Sequence, residues 1–200
     1  MNIQNKRDKY TICMDEIKIR VKIVEQVLNN KINTSYLIVN VELVCIQIRK
    51  ILELIALSSI VANKEEYQKV KKAIERAWKT KEILKELNLI NPNYYPQPIT
   101  LECWNGDNNN TRTKPVKSGF LTREELLNIY AICSDMLHAQ NPFAEKKQFN
   151  RILKLVPTWL KKIKTLTNIH IIQLIDENTM IISIINFEYE KEVSVGIFNK

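Results

Sequence analysis

Residues 36–62 read YLIVNVELVCIQIRKILELIALSSIVA, a nearly continuous apolar stretch of helical length. A helix that is apolar on almost every side is normally surrounded by other elements, so we expect this one to form the centre of the fold. Ahead of it, Ile19, Ile23 and Val27 recur at i+4 spacing and predict a helix over residues 15–30. The apolar stretch therefore favours a fold in which shorter helices pack around one long helix.

Three more helices are predicted after the central one. Helical spacing of apolar residues continues over residues 64–89, where an Asn-Pro pair follows. Thr122 with Glu125 three residues later has the pattern of a capping box, and it predicts a helix from there to Gln140. A fifth helix is expected over residues 145–166, with a kink or a break at Pro157. These elements give five helices.

Two segments depart from the helical pattern. Residues 91–121 contain four prolines and three consecutive asparagines, and they predict a long loop without regular structure. From residue 169 the chain is rich in β-branched residues, which favour two or three short antiparallel strands. We expect a mainly α fold, a helical bundle over residues 1–168, with the β segment 169–200 packed on it as an appendage.

Composition excludes several classes of protein. With 200 residues and 45% apolar content, the chain can bury one sizeable core. Three glycines are too few for a glycine-rich phosphate-binding loop, and two histidines with four scattered cysteines offer no metal-ligand spacing. We expect no cofactor and no metal. The polar first ten residues and the interrupted apolar runs predict a cytoplasmic protein that does not associate with membranes.

The net charge of +8 is concentrated in residues 144–168, where seven basic residues face the single acid Glu145. On a helix, Lys147, Lys154, Lys161 and Lys162 fall on one strip. Such a strip is either a solvated helix face or a surface for phosphate groups. In the second case Lys154 and Lys161 are candidate substrate contacts.

Three polar residues lie close together around the central helix. Glu42, Arg49 and Glu53 fall within about 40° of one another among apolar neighbours. A charge buried there needs a partner, so we expect Arg49 to be mostly buried and bonded to Glu53 or Glu42. The stripe is either a structural ion-pair network or part of a functional site.

A second candidate site is the segment CSDMLHAQNPF, residues 133–143. His138 lies at the end of the fourth predicted helix, where a general acid or base is plausible and where Ser134 or Asp135 is placed to orient the ring. The alternative is that His138 caps the helix or belongs to the core. The other histidine, His170, begins a predicted strand and has no obvious partner in the sequence.

These motifs suggest a family. A central helix with the Arg49–Glu53 pair, the LHAQNP sequence of residues 137–142 (an LH-x-x-NP motif) and the NPNYYPQP sequence of residues 91–98 resemble the HEPN-like superfamily of helical proteins. The resemblance covers about residues 15–165. Many members are RNA-cleaving toxins or defence effectors, so it implies a setting in toxin–antitoxin systems or phage defence. It also implies a homodimer with two sites facing one cleft.

The resemblance implies a metal-independent endoribonuclease. In that role His138 is the general acid or base, Arg49 stabilises the charge of the phosphorane, and Glu53 holds Arg49 in place. Asn141 and Ser134 are the expected substrate contacts beside the lysines.

One departure from the family favours a different function. In HEPN ribonucleases four to six residues separate an arginine from the histidine, whereas the corresponding positions here, five to seven residues before His138, are Cys133, Ile132 and Ala131. The alternative is a non-catalytic helical dimer that binds RNA or a protein partner, through the basic helix or through the C-terminal strands. Residues 181–185 are apolar enough to act as a strand edge for such a partner. An antitoxin or inhibitor built on the same helices is equally compatible with the sequence.

Overall fold

The computed structural model describes residues 3–62, 89, 91–104, 107–174, 178–188 and 191–199. In chain order the elements are α1 (Ile3–Leu28), α2 (Leu37–Ala62), β1 (Gln97–Trp104), β2 (Asp107–Pro115), α3 (Arg123–Met136), α4 (Phe149–Thr167), β3 (Ile169–Gln173), β4 (Thr179–Ile184) and β5 (Ser194–Asn199). The helix predicted over residues 64–89 lies almost entirely outside the described residues.

Helices α1 and α2 form a hairpin that supplies much of the core. In α1 the buried side chains recur every three or four residues, which places them on one helix face: Tyr10, Met14, Ile17, Val21 and Val24. The face chosen from the sequence matches only in part, because Val27 is buried whereas Ile19 is 60% exposed. The helix also begins twelve residues earlier than predicted. Helix α2 is confirmed, and most of its apolar residues are buried.

The predicted helical bundle with a small C-terminal hairpin or three-stranded sheet is wrong. The described residues form a five-stranded antiparallel sheet in the order β2-β1-β3-β4-β5, and the helices pack against it. Ile172 and Ile181 from the sheet and Ile185 directly after β4 belong to the same buried cluster as the helices. Strands β3, β4 and β5 are therefore packed into the fold and are not an appendage.

Strands β1 and β2 occupy the segment that was expected to be an irregular loop. They pair antiparallel, with Ile99 opposite Pro115 and Glu102 opposite Arg112. On β1, only Gln97 and Pro98 pair with β3, so the rest of the β1–β2 hairpin extends past the end of β3. Because β2 is an edge strand, it tolerates a proline that a central strand would exclude.

The strand edge predicted over residues 181–185 is also wrong. Strand β4 lies between β3 and β5, and its backbone pairs with both neighbours. The two edges of the described sheet are β2 and β5. A partner strand would therefore have to meet β5 or β2.

Helices α3 and α4 differ from their predictions mainly at their ends. The capping box is confirmed: the Thr122 side chain accepts from the Glu125 backbone N–H at 3.2 Å, and the Glu125 carboxylate accepts from the Thr122 N–H at 3.1 Å. Helix α3 ends at Met136, before Gln140. Helix α4 continues through Pro157, which lies on the exposed side of the helix. Proline has no N–H to bond the Leu153 carbonyl, but water can reach that carbonyl on the exposed side.

Candidate functional site

Arg49 and Glu53 form a network with Tyr130 on α3. The Arg49 Nε donates to Glu53 Oε1 at 3.1 Å, and the Tyr130 hydroxyl donates to the same oxygen at 3.2 Å. The guanidinium carbon lies 5.1 Å from the centre of the Tyr130 ring, within the range of a cation–π contact. Burial alone would lower the pKa of Arg49, but the Glu53 carboxylate raises it above its ordinary value. The network joins α2 to α3.

The exposure of this network differs from the prediction. The Arg49 and Glu53 side chains are 37% and 33% exposed, so the ion pair is only partly buried. Bonding to Glu53 is confirmed, whereas no bond from Arg49 to Glu42 is present in the described part of the chain. The arrangement fits a structural tie between helices.

Arg49 and His138 contact different parts of α3. The Arg49 guanidinium stacks against Tyr130, which precedes the end of α3 at Met136 by six residues, about 9 Å of helix. His138 lies two residues beyond that end and is exposed. No hydrogen bond or ion pair joins the two side chains among the described residues.

His138 is held by its backbone. Its N–H donates to the Asp135 carbonyl at 3.1 Å, and its own carbonyl accepts from Lys147 Nζ at 2.6 Å. The Lys147 ammonium also bonds the Asp135 carbonyl. A lysine ammonium near the end of a helix can donate hydrogen bonds to the last backbone carbonyls, which lack partners within the helix. The imidazole itself has no hydrogen-bond partner within the described ranges and is open to solvent.

Ser134 is not placed to orient the His138 ring, and Asn141 forms a hydrogen bond within its own loop. The Ser134 hydroxyl oxygen is buried and has no hydrogen-bond partner among the described groups, so it does not orient the His138 ring. The Asn141 side chain accepts from the Phe143 backbone N–H at 3.0 Å. Asn141 therefore shapes the loop after α3.

Six of the seven basic residues in the segment 144–168 divide into two groups, and the seventh, Lys146, lies in the loop before α4. Three lysines are engaged within the protein. Lys147 bonds the end of α3, Lys162 forms an ion pair with Glu125, and Lys164 lies 2.9 Å from Glu25 on α1. Lys162 lowers the pKa of the Glu125 carboxyl. These lysines fasten α4 to its neighbours.

The second group consists of Arg151, Lys154 and Lys161, which we call the basic strip. All three are exposed, and none has an acidic partner in the described part of the chain. They lie within about 80° of one another around the axis and extend over about 15 Å. Beside them is a surface depression of about 500 Å³ lined by Leu37, Lys147, Gln148, Phe149, Asn150, Arg151 and Lys154.

A buried polar chain that the sequence did not reveal links α1 to the sheet. The Tyr10 hydroxyl lies 2.6 Å from His170 Nε2, and His170 Nδ1 lies 3.0 Å from the Thr167 carbonyl. Both side chains are fully buried. Because a carbonyl only accepts, Nδ1 carries the proton, and Nε2 accepts from the Tyr10 hydroxyl. Burial lowers the pKa of His170 to about 4, which keeps the ring neutral.

The described residues contain no group of three or more histidine, cysteine or acidic side chains that could hold a metal ion. Cys13, Cys45 and Cys133 are free thiols. Within the described ranges, no helix has the length and apolar content needed to span a membrane.

Comparisons with known proteins add no relative: no family model, curated protein or solved structure matches this chain. The function must therefore be argued from the residues of the chain itself.

Proposed function

We propose that the protein binds RNA through the basic strip of α4. The observation that carries the proposal is the division among the basic residues of this segment. Lys147, Lys162 and Lys164 have partners inside the protein. The basic strip has no acid within reach in the described part of the chain. A row of unpaired cations attracts a phosphate backbone, and its binding releases counterions.

The same geometry argues against the Arg49–His138 pair as the catalytic core of a single protomer. General acid–base cleavage of RNA needs a cation beside the scissile phosphate while a base takes the 2′-hydroxyl proton. Arg49 is held by Glu53 and Tyr130, about two helical turns away from His138. Binding without cleavage by this pair is therefore the function that we favour.

The binding test uses fluorescence anisotropy with a labelled RNA at a series of salt concentrations. We expect the double variant Lys154→Gln/Lys161→Gln to bind roughly 10-fold or more weakly at low salt and to lower the salt slope by roughly 0.7 for each phosphate that is no longer neutralised. The matched control is Lys9→Gln/Lys50→Gln, which removes the same charge from exposed positions on α1 and α2. Equal weakening by both variants, or an absence of binding by the wild type, would contradict the proposal.

A second candidate function, metal-independent RNA cleavage, is favoured by one observation. The exposed His138 is fastened through its carbonyl to Lys147, at the start of the helix that carries the basic strip. RNA bound along the strip would therefore pass near an open imidazole. The test is incubation with a tRNA pool in the presence of a chelator. Cleavage that disappears in His138→Ala but persists in Lys9→Gln/Lys50→Gln would support this function.

We also propose that the protein is a homodimer. Support comes from the outer face of α2, where Val39, Ile46 and Leu57 are 41%, 37% and 42% exposed. They are spaced by seven and eleven residues, so they form one line along the helix, with the one-third exposed Glu53 between Ile46 and Leu57. A second copy would cover the apolar residues of this line.

A further inference from the structure

The loop between α3 and α4 is closed by its own hydrogen bonds. Gln140 Nε2 donates to the Asn141 and Glu145 carbonyls at 2.8 and 3.2 Å, and Gln140 Oε1 accepts from the Lys147 N–H at 3.0 Å. Lys147 Nζ then bonds the His138 carbonyl at the other end of the loop. The loop therefore holds a defined shape.

This ordered loop presents Phe143 to solvent. The Phe143 side chain is 97% exposed, more than the other large apolar side chains in the described part of the chain. Its backbone N–H is fixed by Asn141 Oδ1 at 3.0 Å. Exposing a phenyl ring opposes the hydrophobic effect. Because the loop is held in shape by hydrogen bonds, the ring is presented in a fixed position, where a ligand can cover it.

Phe143 is close along the chain to positively charged residues. Phe143 precedes the exposed Lys146 by three residues and Lys147 by four, so about 14 Å of chain at most joins it to the wall of the depression beside the basic strip. Lys146 has no acidic partner among the described residues. An aromatic ring beside unpaired cations is the combination that binds single-stranded nucleic acid, because bases stack on the ring while phosphates meet the cations.

We propose that the RNA is bound as a single strand, with one unpaired base stacked on Phe143 and its phosphates on Lys146, Arg151 and Lys154. This inference rests on the proposed RNA-binding function and names its substrate class. In a duplex the faces of the bases are already stacked, so the Phe143 ring has no surface to cover. A second copy is a less suitable occupant, since a symmetric contact at this loop brings two sets of cations together.

The test compares one labelled 12-nucleotide RNA, alone and annealed to its complement, by anisotropy. We expect the wild type to prefer the single strand by about 10-fold, and Phe143→Ala to weaken single-strand binding by about 5- to 100-fold, the effect typical of removing one base–aromatic stack. The salt slope should stay unchanged, because no charge is removed. Phe143→Trp should retain binding. Phe198→Ala, at a half-exposed ring on β5, is the matched control.

The outcomes separate this inference from the proposal on which it rests. Equal binding of single strand and duplex, or full affinity in Phe143→Ala while Lys154→Gln/Lys161→Gln binds weakly, overturns the stacking inference alone. A wild type that binds neither RNA overturns both. If Phe143→Ala instead changes the solution mass without changing RNA affinity, the ring contacts a second copy, and the inference is wrong.

Discussion

Tyr10 on the first helix and His170 on the third strand are joined by a buried hydrogen bond of 2.6 Å across 160 residues of sequence. The bond is one link in a longer chain, since the Thr167 carbonyl at the end of α4 bonds His170. Two helices and the sheet thus meet at one polar chain inside the core. Burial raises the pKa of Tyr10 and lowers that of His170, so both side chains are neutral.

Stability should fall in acid because of His170. The unfolded chain binds a proton near the ordinary pKa of 6.5, whereas the folded protein does so only near 4. Between these pH values the unfolded state holds more protons than the folded state. The contribution of His170 to the free energy of unfolding is therefore present above pH 6.5 and is lost as the pH falls toward 4. This contribution amounts to about 3 kcal/mol. Urea unfolding at several pH values measures it.

The control for this pH dependence is the other histidine. His170→Asn should flatten the fall in stability between pH 6.5 and 4, whatever its effect at neutral pH. His138→Asn removes an exposed imidazole and should leave the slope as in the wild type. Equal slopes for the wild type and His170→Asn would mean that carboxyl groups cause the whole effect.

Removing the Tyr10 hydroxyl should destabilise the protein at neutral pH. Tyr10→Phe keeps the ring in the core but leaves the His170 Nε2 without its donor, and an unsatisfied buried acceptor costs about 1–3 kcal/mol. Chemical denaturation gives the free energy of unfolding. Tyr36→Phe, at an exposed tyrosine, should change it little. A Tyr10→Phe protein as stable as the wild type would show that the bond contributes nothing.

Local signals in the sequence predicted local structure well. The Thr122–Glu125 capping box needs only four consecutive residues, and the Arg49–Glu53 pair needs one helical turn. Both are present. The buried face of α1 was not predicted, because isoleucines lie on two sides of that helix, and only packing against α2 and the sheet decides which side is covered.

Structure that depends on distant residues was missed. Strand β2 reads DNNNTRTKP, and its asparagines and proline favour a loop; it forms because β1 lies beside it. His170 lacked a partner in the sequence because Tyr10 is 160 residues away. For the same reason the sequence grouped Arg49 with His138, whereas the antiparallel course of helices places Arg49 at Tyr130.

The Arg49 network should contribute modestly to stability. Since the ion pair is about one-third exposed, solvent screens it, and the cation–π contact adds a comparable amount, so Arg49→Ala should cost about 1–2 kcal/mol. Thermal unfolding of Arg49→Ala is compared with Lys50→Ala at the next, exposed position. A loss above about 3 kcal/mol would instead indicate a fully buried pair.

The thiols of Cys13 and Cys133 should resist alkylation in the folded protein. Burial raises the pKa of Cys13 to about 11, and the contact with Cys45 together with burial raises that of Cys133 above its usual range. Because the thiolate is the reactive form, iodoacetamide at pH 8 should leave both unmodified until the protein unfolds. Mass spectrometry of peptides locates the label. Rapid native labelling of Cys133 would contradict the buried α2–α3 packing.

The homodimer proposal is tested at the outer face of α2. Ile46→Glu replaces the middle apolar side chain of the line formed with Val39 and Leu57 by a charged one, and the cost of taking this charge out of water opposes association. Light scattering should then give the 23.5 kDa mass of one chain for this variant and twice that mass for the wild type. Ile12→Glu makes the same change at a 63% exposed position on α1 and should remain dimeric. A monomeric wild type would remove the proposal, and a dimeric Ile46→Glu protein would place the contact on another face, because a glutamate at the centre of a helix-to-helix interface cannot reach water.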